Sequence, residues 1–251
     1  PLWAGPKGWQ TSAHNPTVLD AILTGNPHPV RAMYVSGVNI AVTYPDTNKV
    51  MAALKSLDFL VVASHMMTPT SEIADIVLPK TTGLEEEEVS LEPSAQIVCY
   101  TNPVIAPQNE ARSDFDFTTD LARRLEARGI NTRKFFPWET KQEFNEYLLG
   151  DEIDWKILRK NGWAPFDFKL GNFEEAGFKT PSGKIELWSE TLDGLGIDPL
   201  PNYVSPRAES VDPTTRQEYP FVLITGAREK TYHHSRYRDQ AWARKVSPFP
   251  L

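Results

Sequence analysis

Polar side chains gather where three short apolar runs end. Ser36 closes the run Ala32–Ser36, and Gly37 and Asn39 follow it. Ser64, His65 and Thr68 follow Phe59–Ala63, and Thr81 and Thr82 follow Ile76–Pro79. Hydroxyls, an amide and a glycine at neighbouring strand ends suit phosphates and the polar edge of a base, because backbone N–H groups come close to a ligand where there is no Cβ. A fourth group follows the apolar run FVLITG. The segment TGAREKTYHHSRYRDQ carries Arg228, Arg236 and Arg238 with Tyr232, His233, His234 and Ser235, and Arg is the residue for bidentate phosphate contacts.

Each group has a plainer reading when taken alone. A glycine after a strand is more often a turn glycine, and a single histidine at a strand end is more often a hydrogen-bonded surface residue. The arginines equally fit a solvated basic loop. His233 and His234 are adjacent, so in extended chain they point to opposite faces and cannot chelate one ion. Five scattered histidines and one cysteine do not supply the three or four spaced ligands of a zinc site. No P-loop, HExxH or GxSxG is present.

Composition narrows the classes further. The 251 residues suffice for one large domain or two modest ones. Apolar residues make up 40% and charged residues 24%, ordinary for a globular protein. The net charge of -7 argues against nucleic acid as a partner, since phosphate backbones need clustered Lys and Arg. The lone Cys99 excludes an internal disulfide or an iron–sulfur cluster held within this chain, and its apolar setting QIVCY reads as an inert core thiol.

The elements that must position these groups follow from periodicity. NPTVLDAILTG predicts a helix in which Asn15 caps, Pro16 opens the first turn and Gly25 stops. Ala32–Ser36 predicts a buried strand. DTNKVMAALKSL places Val50, Ala53, Leu54 and Leu57 on one helical face, with Asp46 or Thr47 as cap. FLVVA and IVLP predict two more strands, with one helical turn at TSEIAD between them. Strand, helix, strand at this spacing is the parallel βαβ unit, whose ligands sit beyond the carboxyl ends of the strands. An open edge of such a sheet invites self-association. From Gly83 the pattern changes. Glu85–Glu88 reads as a solvated acidic turn, and Ser90 to Phe115 as irregular strands. FDFTTDLARRLEARG reads as a helix with Phe117, Leu121 and Leu125 on its apolar face, followed by two shorter amphipathic helices. FKTPSGKIELWS predicts a hairpin turning at Pro-Ser-Gly, and residues 202–220 a polar linker.

Taken in order, AMYVSGVNIAVTYPDT, LDFLVVASHMMTPTSEIADIVLP, GLEEEEV, ARSDFDF, FKTPSGKIEL and TGAREKTYHHS resemble the catalytic subunits of the molybdopterin oxidoreductases, the dimethyl sulfoxide reductase family. TPSGKIEL and TGAREKTYHHS are most similar to the branch holding thiosulfate and polysulfide reductases, arsenate-handling enzymes and acetylene hydratase. The resemblance implies a molybdenum or tungsten ion held by two molybdopterin guanine dinucleotides. It implies an α/β fold in three parts: residues 1–82 as the second half of a doubly wound, parallel-sheet dinucleotide-binding domain, 83–215 as a small mixed α+β region with a linker, and 216–251 as the start of a C-terminal β-barrel-like domain. It implies a cofactor-binding set of Ser36, Gly37, Asn39, Ser64, His65, Thr68, Asp114, Arg228, His234 and Ser235. Gly37 and Asn39 would lie beside a pyrophosphate or pterin, and Ser64, His65 and Thr68 near a guanosine. Arg228, His234 and Ser235 would approach from the other side. Many members carry Asp where this sequence has Ser64, which offers a single hydroxyl.

The resemblance also implies what to expect elsewhere. The cysteines for a 4Fe-4S cluster and the metal-ligating residue would lie upstream of Pro1, so no residue here is expected to ligate the metal or to catalyse alone. The first partner is then the N-terminal half of the same polypeptide. An iron–sulfur electron-transfer subunit and a membrane anchor are further candidates. The rival reading is a cofactor-free structural subunit of an electron-transfer complex with the same fold.

Overall fold

The computed structural model describes residues 13–92, 95–151, 153–165, 171–200, 202–203, 213–221 and 240–247. The chain divides into two compact units, Pro1–Lys184 and Ile185–Leu251.

The first unit opens with α1 (Asn15–Thr24). His14, not Asn15, is its N-cap residue, and no side chain caps it there. Gly25 ends it at φ +74, where its N–H reaches the Ala21 carbonyl. The left-handed turn is one that glycine adopts without strain. β1 (Ala32–Ser36), β2 (Phe59–Ser64) and β3 (Ile76–Pro79) form a parallel sheet in the order β1-β2-β3. Val35, Val62 and Val77 stand in register across it. A short helix α2 (Ile40–Thr43), which periodicity did not reveal, precedes α3 (Thr47–Ser56). Of the two possible caps for α3, Asp46 serves, accepting from the Lys49 N–H at 3.1 Å. A single 3₁₀ turn (Ser71–Ile73) joins β2 to β3.

The core of this sheet lies on one face. Leu19 of α1, Ile40 of α2 and Val50, Ala53 and Leu54 of α3 pack with Val35, Leu60 and Val62. Tyr34, Phe59 and Ile76 point the other way and are exposed. Continuous apolar runs predicted strands buried on both faces. Among the described residues, helices cover only one.

The second sheet is antiparallel: β4 (Glu88–Glu92), β5 (Ile97–Thr101) and β6 (Trp163–Pro165), in the order β4-β5-β6. The stretch read as irregular strands therefore makes a regular ladder, Glu88 opposite Thr101 through Glu92 opposite Ile97. Three helices follow or flank it: α4 (Asp114–Glu126), α5 (Lys141–Leu149) and α6 (Trp155–Asn161). Leu158 of α6 and Ile153 pack on Val98, Tyr100 and Ala164, and the Tyr100 and Trp155 rings meet edge to face at 5.1 Å. In α4 the buried face is Phe115, Thr119 and Ala122, not the predicted Phe117, Leu121 and Leu125, and Leu121 is 57% exposed. The reason is aromatic. Phe115 stands against Phe136 and Phe144 at 5.7 and 5.8 Å, and such ring clusters bury more surface than a leucine stripe.

The predicted hairpin near Pro181 forms its turn only. The Gly183 N–H donates to the Thr180 carbonyl at 3.0 Å and the Thr180 hydroxyl to the Lys184 carbonyl at 2.6 Å. No ladder follows among the described residues, and Ile185 and Leu187 are 71% and 77% exposed, with no apolar surface to hold them in register. Short helices α7 (Asn172–Ala176), α8 (Glu190–Asp193), α9 (Pro213–Glu218) and α10 (Ala241–Val246) complete the description. The helix α9 falls inside the stretch read as linker. Residues 222–239, where the predicted last strand and the basic segment fall, lie outside the described residues. Among the described residues no helix is long and apolar enough to cross a membrane.

Leu54 is buried among side chains from α1, α3 and β2. Leu54→Ala should destabilise the protein by about 2–5 kcal/mol through lost transfer energy and a residual cavity. A urea midpoint that does not move would show that the α3 face is not the packed core described here.

Candidate functional site

β1, β3 and the start of α4 converge at one point. β1 ends at Ser36, and the Gly37 N–H extends the ladder to the Ala63 carbonyl at 3.1 Å. The chain then turns with Gly37 at φ +67. β3 ends at Pro79, and Lys80 continues it, its N–H reaching the Ser64 carbonyl at 3.2 Å. Two backbone bonds stitch the approach to α4 onto this strand end, Arg112 N–H to Pro79 O and Thr81 N–H to Arg112 O, both 3.1 Å. The capping box of Ser113 and Asp116 then starts α4 with Asp114 in its first turn, where a carboxylate is favoured by the helix dipole.

The three ends share one polar group. The Ser36 hydroxyl donates to the Asp114 carboxylate. The Lys80 ammonium donates to Ser36 Oγ at 3.2 Å and also to the other oxygen of Asp114. A Cβ on residue 37 would come within 3.3 Å of Lys80 Nζ, so the ammonium lies over the bare Cα of Gly37. Gly37 is a turn glycine, and a side-chain ammonium of the protein itself packs against it. The Lys80 side chain is 16% exposed and that of Asp114 50%.

Charge around the group is balanced. Partial burial pushes the Asp114 carboxyl up, but hydrogen bonds from Lys80 and Ser36, with the charges of Lys80 and Lys141, outweigh it and hold the group below the usual carboxylate range. Burial pushes the Tyr34 phenol up; the Asp114 charge adds to that, against a Ser36 hydrogen bond that lowers it. Burial likewise raises Glu86, against the Thr81 hydroxyl and the charges of Lys141 and Lys80.

The acidic run Glu85–Glu88 is not the solvated turn that its composition predicted. Glu85 is buried and accepts from the Thr82 N–H at 2.7 Å, the Thr82 hydroxyl at 2.8 Å and the Gln108 N–H at 2.8 Å. Glu86 accepts from the Thr81 hydroxyl at 3.0 Å and lies 3.9 Å from Lys141. Glu87 accepts from the Tyr100 hydroxyl at 2.9 Å and the buried Asn145 amide at 3.2 Å. Glu85, Glu86 and Glu87 each face their own donors, which is what allows like charges to sit side by side, and Glu88 is exposed.

Ser36, Gly37 and Asp114 thus come together, with Lys80 as a fourth member that the sequence reading did not single out. The only signal for it was its place directly after the third strand. Asn39 and Thr68 are turned inward. Asn39 Oδ1 accepts from the buried Thr70 hydroxyl at 2.8 Å, and Thr70 in turn accepts from the Ala41 N–H at 3.0 Å. The buried Thr68 hydroxyl meets Ser71 Oγ at 2.9 Å and accepts from the Ser71 N–H at 3.1 Å. Ser64 Oγ accepts from the Met66 N–H at 3.4 Å. His65 is exposed on the rim, near enough to Glu85 for its charge to be felt there. A shallow apolar cleft of about 240 Å³ opens beside the end of β1, lined in part by Val18, Met33, Tyr34, Val38 and Tyr44. Arg228, His234 and Ser235 lie outside the described residues. Among the described residues no three His, Cys, Asp or Glu side chains are grouped to hold a metal ion.

Residues 14–124 match the family model for molybdopterin oxidoreductase. The acetylene hydratase of Syntrophotalea acetylenica is 32% identical over 246 residues, covering 94% of this chain and 32% of that protein. The solved acetylene hydratase from Pelobacter acetylenicus aligns with a TM-score of 0.78 at 30% identity, over 94% of this chain and 32% of that one. Residues 14–124 form a domain of the molybdopterin oxidoreductase family. A thiosulfate reductase molybdopterin-containing subunit, PhsA of Salmonella typhimurium, is 28% identical over 84% of this chain and 30% of its own length. The chain spans about a third of the length of these relatives.

Two outcomes are expected from this geometry. Gly37→Ala forces an L side chain into the left-handed region, at a cost of about 1–2 kcal/mol, and Gly37→Asn should cost less because Asn tolerates that region. Equal thermal stability of all three proteins would contradict the φ of +67. Glu85 is held below its ordinary value of 4.5, first by the Thr82 N–H and hydroxyl and then by the Gln108 N–H. A depressed carboxyl stabilises the fold above its unfolded pKa, and that contribution is lost as pH falls through the folded value. Stability measured by urea titration should therefore fall on acidification below about pH 4.5, and the fall should be shallower in Glu85→Gln.

Proposed function

We propose that this chain supplies part of the cofactor grip of a molybdenum or tungsten oxidoreductase, at the carboxyl edge of its parallel sheet. The observation that carries the reading is the group of Ser36, Lys80 and Asp114 beside Gly37. A dinucleotide offers two chemistries, a base edge rich in N–H donors and a run of phosphate charge. A half-exposed, ionised Asp114 is an acceptor suited to the first, because each carboxylate oxygen keeps a lone pair beyond the one bonded inside the protein. An ammonium beside a residue without a Cβ suits the approach of the second. The donor set therefore fits a molybdopterin guanine dinucleotide. When bound, that group would supply the redox-active metal, and the residues of this chain would bind and orient it.

In this reading the basic segment with Arg228, His234 and Ser235 contributes contacts from another side, and Asn39, Thr68 and Thr70 hold the loops rigid. The bis-dinucleotide form, a 4Fe-4S cluster elsewhere in the polypeptide, and an iron–sulfur electron-transfer subunit with a membrane anchor belong to the same proposal. Belonging to an enzyme family favours it over a cofactor-free structural subunit.

The test is the full-length protein, purified from cells supplied with both molybdate and tungstate. Metal analysis should find molybdenum or tungsten, and acid hydrolysis should release guanine nucleotide in about twofold excess over the metal, since a bis-dinucleotide cofactor brings two nucleotides to one ion. Protein free of both metals and of guanine nucleotide would overturn the reading and leave the structural-subunit alternative.

A further inference from the structure

We propose that Lys80 is a positioning residue of this edge: from the end of β3 its ammonium holds the Asp114 carboxylate against Ser36, with its remaining lone pairs turned to the outside, ready to accept N–H donors of a bound nucleotide. The inference rests on the functional reading above.

The geometry has three parts. First, the lysine backbone is fixed. Its N–H bonds the Ser64 carbonyl of β2, and Lys80 bridges Arg112 just ahead of α4. The ammonium is thus delivered from a strand end and not from a free surface loop. Second, the burial is asymmetric. The lysine is 16% exposed and its partner 50%, so the cation sits on the protein side of the carboxylate and the solvent side stays open. Third, the ammonium occupies the space over Gly37 that a Cβ would narrow to 3.3 Å. A side chain at residue 37 would crowd the cation and make it give by a few tenths of an ångström, so the glycine and the lysine fit together.

The other charged groups around Asp114 are consistent with this role. Lys141 comes from the first turn of α5, Tyr34 from β1 and Glu86 from the acidic run, while Asp116 on the same helix is engaged with Ser113. Lys80 is the one among them that both touches the carboxylate and shares its hydroxyl partner Ser36. Removal of the ammonium leaves burial, which raises the carboxyl, opposed by Ser36, Lys141 and the N-terminus of α4. The carboxylate would then take a proton at a higher pH and lose its capacity as an acceptor.

Full-length protein with its cofactor loaded tests this without an activity assay. The guanine nucleotide retained after long dialysis is measured across about pH 5 to 8 in the wild type, Lys80→Met, Lys80→Arg and Lys80→Met/Asp114→Asn. The wild type should retain nucleotide evenly across the range. Lys80→Met should lose more nucleotide at the acid end than at the alkaline end, because only the protonated carboxyl loses its capacity as an acceptor. Lys80→Arg, which keeps charge and donors, should restore most of the flat profile. The double variant should be low and flat, because its amide cannot titrate. A pH-independent loss in Lys80→Met that follows its melting temperature, or no loss at all, would overturn the positioning role while leaving the cofactor reading intact. A wild type without nucleotide at any pH would overturn both.

Discussion

A lysine ammonium brought largely out of water must find acceptors, and the requirement at Lys80 organises the first unit. Its two side-chain partners stand 44 and 34 residues away in sequence, Ser36 at the end of β1 and Asp114 at the start of α4. An unpaired buried charge is costly, and a pair is tolerated only with good geometry and further hydrogen bonds. The backbone bonds between Pro79, Thr81 and Arg112 supply that geometry. The parallel sheet and the region that follows it are therefore joined by a contact that exists only if β1, β3 and α4 all arrive in place.

The acidic run extends the same logic. Glu85 ties the Thr82 turn to Gln108, Glu86 ties Thr81 toward Lys141 of α5, and Glu87 ties Tyr100 of β5 to Asn145 of α5. Four consecutive glutamates would repel one another in a solvated turn. Here Glu85, Glu86 and Glu87 reach different donors, and these three work as a strip of acceptors between the two sheets. Packing around it is aromatic, with Phe115 against Phe136 and Phe144, and Trp138 against the latter two. Tightly packed rings hold the ends of α4 and α5 in register, and the carboxylates with them.

Local patterns made some of this legible in the sequence. The three parallel strands, α1, α3 and the single turn before β3 follow from apolar spacing and caps, because their cores are formed by neighbours in sequence. Tertiary packing decided what was missed. The buried face of α4 is set by Phe115 meeting the rings of Phe136 and Phe144 further along the chain, which overrides the leucine spacing. Glutamates read as solvated because composition carries no information on distant N–H donors. Thr180 to Lys184 holds the chemistry of a turn and makes one, yet a turn does not make a hairpin when the flanking apolar residues find no surface. Lys80 was passed over because a lysine after a strand is ordinarily a surface residue, and only its partners from β1 and α4 make it otherwise. The family was legible from the order of the motifs, which no single element could supply.

Polar residues at strand ends are thus of two kinds, and the hydrogen bonds separate them. Asn39, Thr68 and Thr70 have spent side-chain capacity on one another or on their own loops. A ligand that took those groups would have to break the turns that position them. Asp114 differs, since two inward bonds fix its orientation while half of its surface faces out. A group that is oriented by the protein and still open on one side loses little entropy when a ligand arrives. The spent side chains contribute indirectly, because the loops they stiffen carry the β1 end on which Ser36 and Gly37 stand. On the proposed reading, rigidity and recognition in this edge fall to different residues, and a list of polar side chains at strand ends could not distinguish them.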